Sequence, residues 1–180
     1  MTIKNKTKIF IIDTSAILSG KPINLDDVKI VTTPSISGEL RPGGRVYQSF
    51  QFLIEKGLFF KKPSKESVDK VNIAINKTGD INRLSKTDIE ILALALDFEK
   101  ENEPIILTDD YSIQNVAHFL KIKFETISQS GIIKRFKWTC RCRGCGKKFK
   151  ENIKICPICG TETRTVISGK ENIKKYCGKK

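Results

Sequence analysis

Two groups of residues in this chain have types and spacings that can do chemistry. Cys142-x-x-Cys145 and Cys156-x-x-Cys159 are a pair of knuckles with ten residues between them. Four thiolates at that spacing can close a tetrahedron around Zn²⁺, and a closed four-sulfur shell leaves no position for water. Such a site holds a small module together rather than reacting. The second group is acidic. Asp13 ends the apolar run "KIFII", and Asp109 and Asp110 end "PIILT". Carboxylates gathered in one place repel one another unless protons or a cation intervene. Hard oxygen donors favour Mg²⁺ or Mn²⁺, which can polarise a phosphoryl oxygen and lower the pKa of a bound water. That is the chemistry of phosphodiester hydrolysis.

Each acid also has a plainer reading. Ser85-x-x-Asp88 is a capping box, and a first-turn carboxylate complements the helix dipole, so Asp88 can be a cap alone. Asp110 or Asp109 can cap the helix that starts near Ser112, and Asp13 can cap the short helix begun by "AILSG". Glu39, in "TPSISGELRPGG", is compatible with an ordinary exposed glutamate. The chain has a single His, His118, on an expected helix, so a two-histidine acid/base mechanism is excluded.

These residues need elements to position them. The runs "KIFIID", "VKIVTT" and "EPIILTDD", the shorter "GLFF" and a last strand near "IKFETI" interleave with helical segments, which indicates βαβ units and a parallel sheet of about five strands. The fold class is α/β. "LSKTDIEILALALDFEKE" is the clearest helix, capped at Ser85 and periodic through Ile89, Leu92, Ala93 and Leu96. "RVYQSFQFLIEKG" and "SVDKVNIAINKTG" are closed by Gly57 and Gly79, and "SIQNVAHFLKI" follows the last long strand. In an open parallel sheet, ligands gather at the carboxyl ends of the strands, where Asp13 and the Asp109–Asp110 pair fall.

The composition shifts near Arg135, which divides the chain into a body at 1–135, a cysteine module at 136–165 and a basic tail at 166–180. Lys and Arg outnumber Asp and Glu by 18 to 17 up to Ile133, a net of +1, and by 15 to 3 from Lys134 onward, a net of +12. Such asymmetry suits phosphate contact, although a solubilising lysine tail has the same composition. All 6 Cys lie in the basic part; disulfides would suit a small secreted domain, whereas paired knuckles in an unexported protein favour metal. Cys140 can enter only a longer, less usual knuckle with Cys145, and Cys177 is expected to be free. Phe149 and Trp138 can stack on bases or pack in the module's small core. No apolar run reaches the roughly 18 residues of a membrane span, so a soluble, cytoplasmic protein is expected.

Asp-x-Asp phosphatases and response-regulator receivers fit poorly, because Asp13 is followed by Thr14 and Ser15 and no acidic pair follows the first strand. "IFIIDTSAIL", the Glu39 of "ISGEL", the start of "LSKTDIEILALAL" and "ILTDDYSIQNVA" together resemble the four acidic motifs of PIN-domain ribonucleases, over Lys8 to Ile127. The resemblance implies a three-layer α/β/α nuclease body whose site is Asp13, Glu39, Asp88 and Asp110. Asp110 is preferred to Asp109 because the family pattern reads Thr-x-Asp. With the zinc ribbon and basic end, and on "DDYSIQNVA" and "RGCGKKF", the chain is similar to the Nin-one-binding endonucleases of ribosome assembly. That resemblance implies Mg²⁺- or Mn²⁺-dependent single-strand cleavage at the 3′ end of precursor small-subunit ribosomal RNA, within the pre-small ribosomal subunit. Asp13, Asp88 and Asp110 would hold the metal, and Glu39 would complete the site or orient water. A toxin-type PIN ribonuclease and a non-catalytic RNA-binding assembly factor are the alternatives.

Overall fold

The computed structural model describes residues 7–23, 25, 28–80, 83–127 and 134–172, with the backbone alone at 134–136 and 171–172. Five strands, β1 (Thr7–Ile12), β2 (Lys29–Thr32), β3 (Phe59–Phe60), β4 (Asn102–Leu107) and β5 (Lys123–Glu125), form one sheet in the order β3-β2-β1-β4-β5. Every pairing in it is parallel.

Alternation along the strands explains why they read as unbroken apolar runs. Ile9, Ile11, Val31 and Ile106 face one layer, made of α3 (Lys65–Thr78), α4 (Lys86–Phe98) and α5 (Tyr111–Leu120). Phe10, Ile12, Ile30, Ile105 and Leu107 face the other, made of α1 (Thr14–Leu18) and α2 (Gly44–Glu55). Both faces are covered, so both phases of the period-2 pattern are apolar. Each buried Ile or Leu stabilises the fold by about 1.5–3 kcal/mol relative to exposure. Helix α4 is the innermost: Ile91, Leu92, Ala93, Leu94 and Ala95 are all fully buried.

The chain leaves β1 for β2 on one side and returns to β4 on the other. The carboxyl ends of β1 and β4 therefore flank the switch point where such sheets bind ligands. The Asp13 N–H donates to the Leu107 carbonyl at 3.1 Å, extending the ladder to the edge itself. Among the described residues no helix is long and apolar enough to cross a membrane.

A second sheet, in the order β7-β6-β8, is antiparallel and consists of β6 (Lys134–Cys142), β7 (Lys148–Phe149) and β8 (Thr163–Asn172). This corrects the tail expected from residue 166. Residues 166–172 are the second half of a ten-residue strand paired with β6 along its whole length. A strand on an edge takes its order from its partner's hydrogen bonds, and β6 lies more than twenty residues earlier, so local periodicity carried no sign of it. Residues 173–180, with Cys177, lie outside the described residues.

Candidate active site

Asp13 stands one residue past β1 and is only 2% exposed. It caps α1, its Oδ1 accepting from the Thr14 N–H at 2.7 Å and its Oδ2 from the Ser15 N–H at 3.3 Å. The same Oδ2 also accepts from the Ser15 hydroxyl at 2.5 Å and the Thr108 hydroxyl at 2.7 Å. Ser15 Oγ then accepts from the Asp109 N–H at 2.9 Å, and Thr108 Oγ1 from the Asp110 N–H at 3.0 Å. One hydroxyl from each of the two strand ends thus ties β1's acid to β4's acids. Ser15 stands two residues past Asp13 in the sequence; the reach of Thr108 across the sheet had no such local sign, although its place one residue past the strand end was the available signal.

The two acids after β4 diverge. Asp109 is buried and accepts from the Ile127 N–H at 2.9 Å, pinning the segment after β5. Asp110 is half-buried and caps α5, accepting from the Ser112 N–H at 2.6 Å. Asp88 sits in the first turn of α4, and its capping box is complete: it accepts from the Ser85 N–H at 2.6 Å and its own N–H donates to Ser85 Oγ at 3.2 Å. Glu39 ends the 3₁₀ turn Pro34–Gly38, anchored by buried Leu40 beside it, and accepts from the Thr14 hydroxyl at 2.6 Å.

The caps do not keep these carboxylates apart electrostatically. Burial holds the Asp13 carboxyl above its ordinary 3.8, with Asp88's charge adding to the rise, against the lowering hydrogen bonds of Ser15, Thr108 and Thr14. Asp88 is raised as well, first by burial and further by Asp110 and Glu39, despite both Ser85 donors. Asp88 is thus the acid through which the four are linked: its charge acts on Asp13, and those of Asp110 and Glu39 act on it. Hard oxygen donors linked in this way, from buried Asp13 through half-buried Asp88 and Asp110 to exposed Glu39, are a donor set suited to a divalent cation. His118 lies in the last turn of α5, about 12 Å along the helix from the Asp110 cap, so it does not join this group.

The cysteines meet more tightly. The Sγ atoms of Cys142, Cys145, Cys156 and Cys159 all lie within 4.8 Å of one another, with Cys142–Cys159 at 3.3 Å and Cys145–Cys156 at 3.7 Å. Zn–S bonds of about 2.3 Å make a tetrahedron with edges near 3.8 Å. The knuckles have matching wiring. Gly146 and Gly160 adopt φ of +73° and +71°, and the next residues, Lys147 and Thr161, turn their N–H groups onto Cys145 and Cys159. The Thr161 hydroxyl, and next its N–H, pull the Cys159 thiol down to about 5. Cys140 is buried 3.3 Å from the Asn152 carbonyl and outside the cluster. Among the described residues the acids do not converge so closely, as expected of like charges facing one another.

A family model described as the PIN domain of ribonuclease matches residues 10–98. The Endoribonuclease Nob1 of Archaeoglobus fulgidus is 42% identical over 156 residues, which cover 86% of this chain and 89% of that protein. The Endoribonuclease Nob1 of Pyrococcus abyssi is 38% identical over 160 residues, 87% of this chain and 92% of that one. The Ribonuclease VapC1 of Thermoplasma acidophilum is also 38% identical, over 87% of this chain and 77% of its own.

Proposed function

The chain belongs to the PIN-domain endoribonucleases, beside the Nob1 proteins it matches over most of its length, and from that premise we propose that it matures the 3′ end of precursor small-subunit ribosomal RNA. We assign the nuclease body to residues 1–135 and place its site at Asp13, Glu39, Asp88 and Asp110. The observation that supports the site is that Asp88's charge raises Asp13 while Asp110 and Glu39 raise Asp88, beside the strand ends at the switch point of the sheet.

In this reading Asp13, Asp88 and Asp110 hold Mg²⁺ or Mn²⁺. Such an ion, when bound, polarises a phosphoryl oxygen and lowers the pKa of a water. The protein's own part is positional. Ser15 and Thr108 fix Asp13 Oδ2 from two sides, so the carboxylate needs no reorganisation to receive a cation. Ser85 holds Asp88 at the start of a buried helix. Thr14 holds Glu39 where it can accept a hydrogen bond from water and orient it toward a phosphodiester. Asp109 is spent on Ile127, which favours Asp110 as the ligand.

Zn²⁺ on the four cysteines stabilises the ribbon, whose cationic surface takes RNA phosphates. The reading extends to work on the pre-small ribosomal subunit in the cytoplasm. The test is cleavage of an RNA that spans the mature small-subunit 3′ end, in Mn²⁺ and in Mg²⁺, with Asp13→Asn and Asp110→Asn as controls. Cleavage at the mature end that both variants abolish supports the proposal. Equal cleavage of unrelated single strands would favour a toxin-type ribonuclease, and undiminished variants would remove the assigned site.

A further inference from the structure

Trp138 was open, from the sequence, to stacking on RNA bases; the structure gives it another occupation. Gly79 ends α3 with φ of +81°, a left-handed conformation natural to glycine, but backbone strain is only half the reason for glycine there. A Cβ at position 79 would lie 2.7 Å from the Trp138 carbonyl oxygen and 2.8 Å from the Trp138 Cβ. The long strand β6 therefore rests directly on the end of α3. The Arg83 guanidinium lies 3.7 Å from the centre of the indole ring, within cation–π distance. Asp80, 1% exposed, accepts from the Trp138 side chain and from Asn115 Nδ2, the latter at 2.7 Å. Asn115 comes from α5 and is itself buried.

The end of α3 and the segment leading into α4 thus meet one residue of the ribbon directly, and the middle of α5 joins them through Asp80. Two of them lead to site acids. Arg83 precedes Ser85, the partner of Asp88, by two residues, and Asn115 lies on the helix that Asp110 caps. A carboxylate buried in this way persists only where its hydrogen bonds are made, and one donor here belongs to the ribbon.

We propose that Trp138, Gly79, Asp80, Arg83 and Asn115 form a latch that fixes the zinc ribbon to the nuclease body, making Trp138 and Arg83 positioning residues for RNA long enough to touch both. The latch holds whether or not the substrate is ribosomal; the positioning role rests on the proposed RNA cleavage.

The experiment uses the full zinc-loaded chain. In ¹⁵N relaxation, body and ribbon of the wild type share one rotational correlation time, and Trp138→Ala gives the ribbon a shorter one of its own. Independent tumbling in the wild type, or common tumbling in the variant, overturns the latch. Cleavage is then compared on a short single strand that covers the acidic edge and on a longer one that extends to the ribbon. Trp138→Ala and Arg83→Gln raise KM for the long RNA by about fivefold or more with kcat unchanged, and leave the short RNA alone. Trp138→Phe, which keeps a ring under Arg83, recovers most of that loss. Should Trp138→Ala fail to fold, Arg83→Gln, at an exposed residue, carries the same readings. Unchanged KM on both RNAs overturns the positioning role. A wild type that cleaves neither RNA counts against the proposed function, while the tumbling data still decide the latch.

Discussion

The acidic edge and the cysteine cluster are both built from side chains that repel one another when ionised, yet they solve the problem in different ways. The four sulfurs have come within bonding reach of a common centre, and little else in the ribbon could hold them there: its sheet has three strands, one of them only two residues long. The acids are instead held by a body with two apolar layers of its own, each on a structural hydrogen bond: Asp13 and Asp110 as N-caps, Asp88 in a capping box, Glu39 on Thr14. A site whose ligands are its fold is closed and structural. One whose ligands are borrowed from a fold can stay open for chemistry.

The largest effect that would break this contrast is removal of zinc. Chelation or Cys145→Ser should unfold the ribbon while the body persists, because structural zinc supplies on the order of 10–16 kcal/mol to such modules. Loss of amide protection confined to residues 136–172 is the expected hydrogen-exchange result; uniform loss, or none, would abolish the distinction.

Next comes Asp13→Asn, which keeps the helix cap and removes the charge. We expect kcat to fall by about a hundredfold or more, since several kcal/mol of charge stabilisation depend on a metal ligand. Stability at neutral pH should hold or rise. Because the folded-state pKa of Asp13 lies above its ordinary 3.8, the native state binds that proton more tightly than the unfolded chain does. The native state therefore loses stability as pH rises from 3.8 through the raised value, and the cost stays at neutral pH. Asparagine escapes that cost, and so does wild type given Mn²⁺: melting curves should show Mn²⁺ raising the Tm of the wild type more than that of the variant.

A finer comparison lies between adjacent acids. Asp109→Ala should cost about 1–3 kcal/mol in denaturant titration, by orphaning the Ile127 N–H, with kcat changed little. Asp110→Asn should do the reverse, losing activity at nearly constant stability, because Asn caps a helix about as well as Asp. The smallest effect expected is for Ser85→Ala, about 1 kcal/mol from the lost cap on α4, with a modest rise in KM for metal as Asp88 loosens.

Much of this arrangement was legible in local sequence. The five parallel strands and four longer helices follow from apolar runs and glycine stops, and Asp13 and Asp110 stand out because a charged residue ends a core strand. The cap reading and the site reading of Asp13, Asp88 and Asp110 were posed as alternatives; the structure shows all three as caps and Asp88's charge coupled to the other two, so capping does not exclude the proposed site. Asp80 gave no sign of itself: it looks like a loop acid after a glycine, yet it is buried between Asn115 of α5 and the Trp138 of β6. The same closure turned Trp138 from a stacking candidate into a packed one.

By itself the sequence determined what is set within a few residues or by a repeated period: the α/β alternation, the helix caps, the two cysteine knuckles and the charge of the C-terminal part. Tertiary structure alone decided which distant groups meet. Thr108 reaches Asp13 across 95 positions, β8 takes its order from β6, and the ribbon rests on Gly79. The physical reason is one of range. Backbone preference and hydrophobic period act along the chain, whereas a hydrogen bond or a buried charge acts across whatever gap the packed layers leave between their edges.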